Sequence, residues 1–195
     1  MKKLIFVSLT LLSSQCFSQG LMQGIMSRLS FGLKAGANYS NYTNASFNTD
    51  ALIGFHAGAL IDFKLIGNLS IREEFLFSTQ GAKVKDNLFG KEDVRVDYLT
   101  VPFLLHYRTN SGLYIEAGPQ VGMRAKDFRD SLQTTSFAKR LDLAAAAGIG
   151  YQSKSGLGIG VRYVAGLSSV GDFQSSHINP NFKTSVVQAS IFYIF

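Results

Sequence analysis

From Leu29 onward, apolar and polar residues take turns along the chain. Leu29, Phe31, Leu33, Ala35 and Ala37 share one parity; Ser30, Gly32, Lys34, Gly36 and Asn38 share the other. Successive side chains of a β-strand point to opposite faces, so this alternation predicts a strand with one apolar face. The pattern recurs with Ile53, Phe55, Ala57, Ala59, Ile61 and Phe63 against Gly54, His56, Gly58, Leu60 and Asp62. Leu69, Ile71, Phe75 and Phe77 oppose Ser70, Arg72, Glu74 and Ser78. Leu99, Val101, Phe103, Leu105 and Tyr107 oppose Tyr98, Thr100, Pro102, Leu104 and His106. Leu113, Ile115, Ala117, Val121 and Met123 oppose Tyr114, Glu116, Gln120 and Arg124. Leu141, Leu143, Ala145, Ala147, Ile149 and Tyr151 oppose Asp142, Gly148 and Gly150. Leu157, Ile159, Val161, Tyr163 and Leu167 oppose Gly158, Gly160, Arg162 and Gly166. Val187, Ala189, Ile191, Tyr193 and Phe195 oppose Gln188 and Ser190.

These are eight segments, each near the roughly 9–11 residues of a tilted strand that crosses a bilayer. Their connections alternate in length. Short ones are expected at Lys64–Asn68, Arg108–Gly112 and Gln152–Gly156. Long polar ones are expected near Tyr39–Leu52, Gln80–Val96, Ala125–Ala138 and Ser168–Asn181. Short turns at one end and long loops at the other predict an all-β fold, an eight-stranded antiparallel up-and-down barrel in a membrane. The apolar face must meet lipid and the polar face must line the interior, because lipid satisfies no polar group. Phe63, Tyr107 and Tyr151 lie on the outward face beside the short turns, as an interfacial aromatic girdle would.

Two details resist the pattern. Glu73 falls on the lipid face by parity. Val94 and Val96 share a face with Tyr98, opposite to Leu99 and Val101, which suggests a bulge or a loop–strand boundary near Tyr98. The alanine run in Leu141–Tyr151 has helical propensity, but Gly148, Gly150 and the following short turn favour a strand.

The N-terminus is different. Met1-Lys2-Lys3 is basic, Leu4–Leu12 is apolar, and Ser13–Ser18 is small and polar. This is the layout of a secretory signal peptide over residues 1–18, with cleavage between Ser18 and Gln19. Residues 19–28 form a linker and residues 29–195 the barrel domain. Cys16 is the only cysteine and would leave with the signal, so disulfide, zinc and thiol chemistry are not expected.

Composition agrees with this reading. Apolar residues make up 46% of the chain and charged residues only 16%, below the roughly 25% of average soluble domains. The net charge of +6 is scattered rather than striped, so no nucleic-acid partner is expected. No residue cluster has metal-ligand spacing, and no cofactor is expected. Gly156, Gly158 and Gly160 lie inside a strand with no helix after them, which excludes a dinucleotide loop.

Candidate chemistry is concentrated on the inward parity: Lys34, His56, Arg72, Glu74, His106, Glu116, Arg124, Asp142 and Arg162. An eight-stranded barrel is narrow enough for side chains to fill it. Buried charges must pair, so this set is expected to form an ion-pair network that plugs the interior. A gated proton or ion path is the sharper alternative. A further alternative is an envelope enzyme, lipid-modifying or proteolytic, built on a His–carboxylate pair. Its histidines would be drawn from His56, His106 and His177. A soluble ligand carrier would need the inverse pattern, with an apolar interior.

Several segments carry a resemblance. Leu69–Ser78 closed by Gly81, Tyr98-Leu99-Thr100-Val101-Pro102, Leu113–Pro119 with its Ala117-Gly118-Pro119, and Arg162-Tyr163 with Gly166-Leu167 occur in this order. Together with the terminal Phe195, they resemble the strands of the PorT-like outer-membrane β-barrel family. That resemblance implies an outer-membrane location, an OmpA/OmpX-type eight-stranded fold and no established catalytic residues. It implies that the terminal aromatic strand, with Tyr193 and Phe195, is the signal read by the barrel assembly machinery. It also implies that some relatives assist secretion. Glu73 departs from the family, which often has proline there. The expected partners are outer-membrane lipids, the assembly machinery, and extracellular or secretion-system proteins reached through the long loops.

Overall fold

The computed structural model describes residues 24–43, 49–86, 90–125, 142–168 and 183–195. The signal-peptide assignment, the cleavage site at Ser18 and Gln19, the start of the linker and His177 lie outside these residues. Eight strands follow one another: β1 (Leu29–Thr43), β2 (Thr49–Ile66), β3 (Leu69–Asp86), β4 (Gly90–Arg108), β5 (Leu113–Arg124), β6 (Asp142–Gln152), β7 (Leu157–Gly166) and β8 (Lys183–Ile194). Each pairs antiparallel with the next, and β8 returns to β1 in a register running from Gly32↔Ile194 to Thr43↔Lys183. The sheet is a closed barrel with no unpaired edge along its body.

Three tight turns join strands at one end. Gly67, Gly112 and Gly156 adopt φ of 55°, 98° and 93° there. A side chain strains such left-handed conformations, so glycine closes each turn. In two of the turns the backbone bonds repeat: Thr109 N donates to Leu113 O and Gly112 N to Thr109 O, as Ser153 N does to Leu157 O and Gly156 N to Ser153 O. At this end Gly24–Met26 make one helical turn, and Lys64 N donates to Arg28 O, joining the chain before β1 to the end of β2.

The alternation of the sequence becomes an alternation of burial. On β5 and β7 exposed and buried residues succeed each other nearly one by one. The exposed set is apolar: Ile149 is 65% open, Ile115 60% and Ile191 53%. Soluble monomers rarely expose apolar surface continuously, so an acyl-chain environment accounts for this face. Tyr107, Tyr151 and Tyr193 are exposed beside the short turns, and Phe63 is half-buried there.

Two expectations are corrected. The segments Tyr39–Leu52 and Gln80–Val96 are mostly strand, not loop. β1 and β2 pair as far as Ser40↔Leu52, and β3 and β4 remain in register up to Asp86↔Gly90. Polarity there marks the end of the bilayer and not the end of the pairing. For the same reason no bulge lies near Tyr98. The β3–β4 and β4–β5 registers pass through it unbroken, and Tyr98 is buried inside the barrel. The irregularities fall instead on the β2–β3 pair, between Ala51 and His56 and between Lys64 and Ile66.

The interior is not wholly polar either. Leu60, Tyr114 and Phe192 form an apolar layer nearer the short turns, and Leu104, Ala146, Val164 and Val186 form another nearer the long connections. Glycine makes room for the large rings. A Cβ on Gly158 would overlap the Phe192 ring, and one on Gly160 would overlap the Tyr114 hydroxyl.

Candidate functional site: the sealed ion-pair interior

Inward residues from alternate strands of a small barrel share a layer. Lys34 comes from β1, Arg72 and Glu74 from β3, Glu116 from β5 and Arg162 from β7. Arg162 binds Glu74 with two parallel hydrogen bonds, Nη1 to Oε2 and Nη2 to Oε1, each 2.7 Å. Its Nε and Nη2 also donate to Glu116 Oε1 at 2.8 and 2.6 Å. Lys34 Nζ donates to both Glu74 oxygens at 3.0 and 3.2 Å. Arg72 grips Asp62 bidentately, Nε to Oδ1 at 2.7 Å and Nη2 to Oδ2 at 2.8 Å. Its Nη1 stands 3.8 Å from Glu116 Oε2, which links the two halves of the cluster. The Arg72 guanidinium also lies 4.8 Å from the Phe192 ring centre and 5.7 Å from that of Tyr114.

Three cations (Lys34, Arg72, Arg162) thus meet three carboxylates (Asp62, Glu74, Glu116). The cluster is neutral. Removing one lone ion from water costs several kcal/mol even after relaxation, so only such balance lets five buried charges and the half-buried Asp62 lie together. Planar bidentate forks make the pairs stronger than single point contacts.

A second, uncharged network lies on β1, β2, β3 and β8. His56 Nδ1 is 2.7 Å from Asn38 Oδ1, and its Nε2 is 2.9 Å from Ser190 Oγ. Asn38 Nδ2 donates to Phe55 O, Ser78 Oγ and Thr79 O, which fixes the amide with its oxygen toward His56. His56 Nδ1 therefore donates to Asn38 Oδ1, and Nε2 pairs with the Ser190 hydroxyl. Gln188 Nε2 adds a bond to Asn38 Oδ1 at 3.2 Å. His106 lies against the Tyr114 ring, 4.7 Å between centres, with Ser70 Oγ at 3.4 Å from its Nδ1.

Of the nine interior candidates, Lys34, Arg72, Glu74, Glu116 and Arg162 meet in one cluster, and His56 and His106 lie elsewhere in the lumen. Arg124 and Asp142 do not reach the cluster. Arg124 is eight residues along β5 from Glu116, half-buried opposite Tyr98. Asp142 is half-buried opposite Gly122, six residues along β6 from Gly148, the partner of Arg162. Asp62, Asn38, Gln188 and Ser190 carry as much of the interior as the candidates do. All have inward parity, and that parity is the signal that finds them.

Among the described residues, neither His56 nor His106 hydrogen-bonds a carboxylate. Nor is any group of three His, Cys, Asp or Glu placed to hold a metal ion. No described helix is long and apolar enough to cross a membrane.

A closed antiparallel barrel with a lipid-matched exterior and a charge-balanced ion-pair cluster across its lumen defines the class: an integral membrane β-barrel. The family model for the outer membrane protein beta-barrel domain matches residues 14–172. The chain belongs to that family. A search of curated proteins gives no match. Among solved structures, the chain resembles the Neisserial surface protein A at 13% identity and a TM-score of 0.51, covering 85% of this chain and 97% of that one. It also resembles Ail of Yersinia pestis, determined in a phospholipid bilayer nanodisc, at 15% identity and a TM-score of 0.50, covering 85% and 99%. At these identities the likeness is one of fold.

Proposed function

We propose that this outer-membrane barrel is a non-conducting, non-catalytic scaffold of the PorT-like kind. It is exported by a signal peptide cleaved after Ser18 and inserted with its short turns in the periplasm. Its longer connections, from Arg124 to Asp142 and from Gly166 to Lys183, then face outward, where they meet extracellular or secretion-system partners.

One observation carries the reading: the lumen is filled across its width by the Lys34–Glu74–Arg162–Glu116 cluster, with apolar layers toward either end. A solute path would need a hydrated channel where these side chains pack. A proton relay would need groups that exchange partners, whereas Arg162 holds two carboxylates through four short bonds. The partners of His56 and His106 are amide, hydroxyl and ring groups, which offers no support to a His–carboxylate enzyme.

The test is reconstitution of the mature chain in planar bilayers. The expected result is heat-modifiable, membrane-inserted protein with no discrete conductance steps. Regular single-channel events from the folded protein would overturn the scaffold reading.

A further inference from the structure

We infer that the short-turn mouth of the barrel is a docking site for an acidic peptide segment. The mouth holds a cavity of about 420 Å³, within the size range of small ligand sites. Four cations line it: Arg28 before β1, Lys64 near the end of β2, Arg108 at the end of β4 and Lys154 in the β6–β7 turn. The one acidic side chain in its wall, Asp62, is already held by Arg72 through two hydrogen bonds. That pair cancels. Even with a main-chain carboxylate counted at Phe195, the mouth keeps an excess of three positive charges.

Position favours a soluble partner over the bilayer as the source of the anion. Lys64 and Arg108 share the inward parity of Asp62 and His106, and both are exposed in the wall of the mouth. A headgroup at the interface would have to bend over the rim to meet all four. The arrangement also favours several linked charges over one. The cations come from four separate segments around the rim, and a single phosphate touches only one or two of them. Carboxylates spaced along an extended chain reach several at once. Tyr193 and Ile194 add apolar wall against which a peptide backbone can lie. Arg28 is partly pre-positioned, since its Nη1 donates to Leu65 O at 3.3 Å.

The inference rests on the orientation proposed above only for its cellular side: with the short turns inward, the partner is a periplasmic protein with an acidic segment. The experiment separates the two. Full-length mature protein folded in uncharged detergent micelles is titrated with an amidated triglutamate peptide, followed by calorimetry. Binding is expected, with affinity falling steeply as salt is added. The triple variant Lys64→Glu, Arg108→Glu, Lys154→Glu should weaken it at least about tenfold. Arg95→Glu, far along β4, should leave it unchanged. Unboiled gel mobility confirms that each variant is folded. Failure of the wild type to bind, or an unaffected triple variant, overturns the site. Displacement of the peptide by inorganic phosphate at equal concentration overturns the peptide assignment. Orientation is read independently in cells by labelling Ser153→Cys with an impermeant maleimide. Labelling only after permeabilisation is expected, and labelling of intact cells sinks the orientation without touching the binding result.

Discussion

Arg162 on β7 and Glu74 on β3 stand four strands apart, on opposite walls of an eight-stranded barrel, and are joined by a bidentate pair of 2.7 Å hydrogen bonds. The pair is a strut across the full width of the lumen. Glu74 also receives Lys34, and Arg162 also holds Glu116, so each end is tied to a further strand. Loss of Glu74 therefore deprives two cations of their shared carboxylate in a dry interior.

Glu74→Ala should destabilise the folded barrel by about 3–5 kcal/mol, because Lys34 and Arg162 then lose their shared carboxylate. Urea unfolding in lipid vesicles, followed by unboiled gel mobility, measures it. Adding Arg162→Met to Glu74→Ala should recover part of the loss, since it removes the excess positive charge that Glu74→Ala leaves in the cluster. If the double variant is weaker than the sum of the singles, the strut is not the source of the effect.

Gly158→Val should cost about 1–3 kcal/mol through overlap with the Phe192 ring. Phe192→Ala in the same chain should relieve the overlap, so that the two changes together cost less than their sum. The same unfolding assay checks this. Strict additivity would show that Gly158 serves the backbone rather than the ring.

Glu73 tests the outer face. It is half-buried on the lipid side, between Ile61 on β2 and Phe103 on β4. Glu73→Leu should stabilise the barrel by up to about 1 kcal/mol, the scale for a carboxylate near a membrane interface. Unfolding from vesicles should show the gain, while micelles, which deform around the charge, should show less. Destabilisation in vesicles would mean that the carboxylate has a partner worth more than its burial costs.

Phe195 helps to close the barrel. Its N–H donates to Phe31 O on β1, and its ring meets Tyr193 edge-on at 5.5 Å. Deleting Phe195 should lower the fraction of protein that reaches the heat-modifiable form in cells. Normal mobility and surface exposure of the shortened chain would remove the assembly role proposed for the terminal strand.

Much of this was legible in residue order alone. Parity placed Lys34, Arg72, Glu74, Glu116 and Arg162 on one face, because a pleated strand allows only two. Parity could not say which of them meet. That depends on the stagger between strands, which sets Glu74 level with Arg162 but leaves Arg124 and Asp142 far along their strands. Leu60, Tyr114 and Phe192 were hidden for a related reason. A lumen has a middle and two ends, and a binary pattern records only inside and outside. The Gln80–Val96 hairpin was misread because polarity reports the solvent, whereas pairing continues through it.

That hairpin gives the exterior a shape. Crossing the bilayer uses roughly ten residues of a strand, whereas β3 has 18 and β4 has 19. The surplus, at about 3.3 Å per residue and a tilt near 40°, lifts the ladder about 20 Å above the membrane surface. A visitor arriving there meets a twisted three-stranded ladder, since β2 accompanies β3 as far as Thr49↔Val84, before it meets the rim of the cylinder.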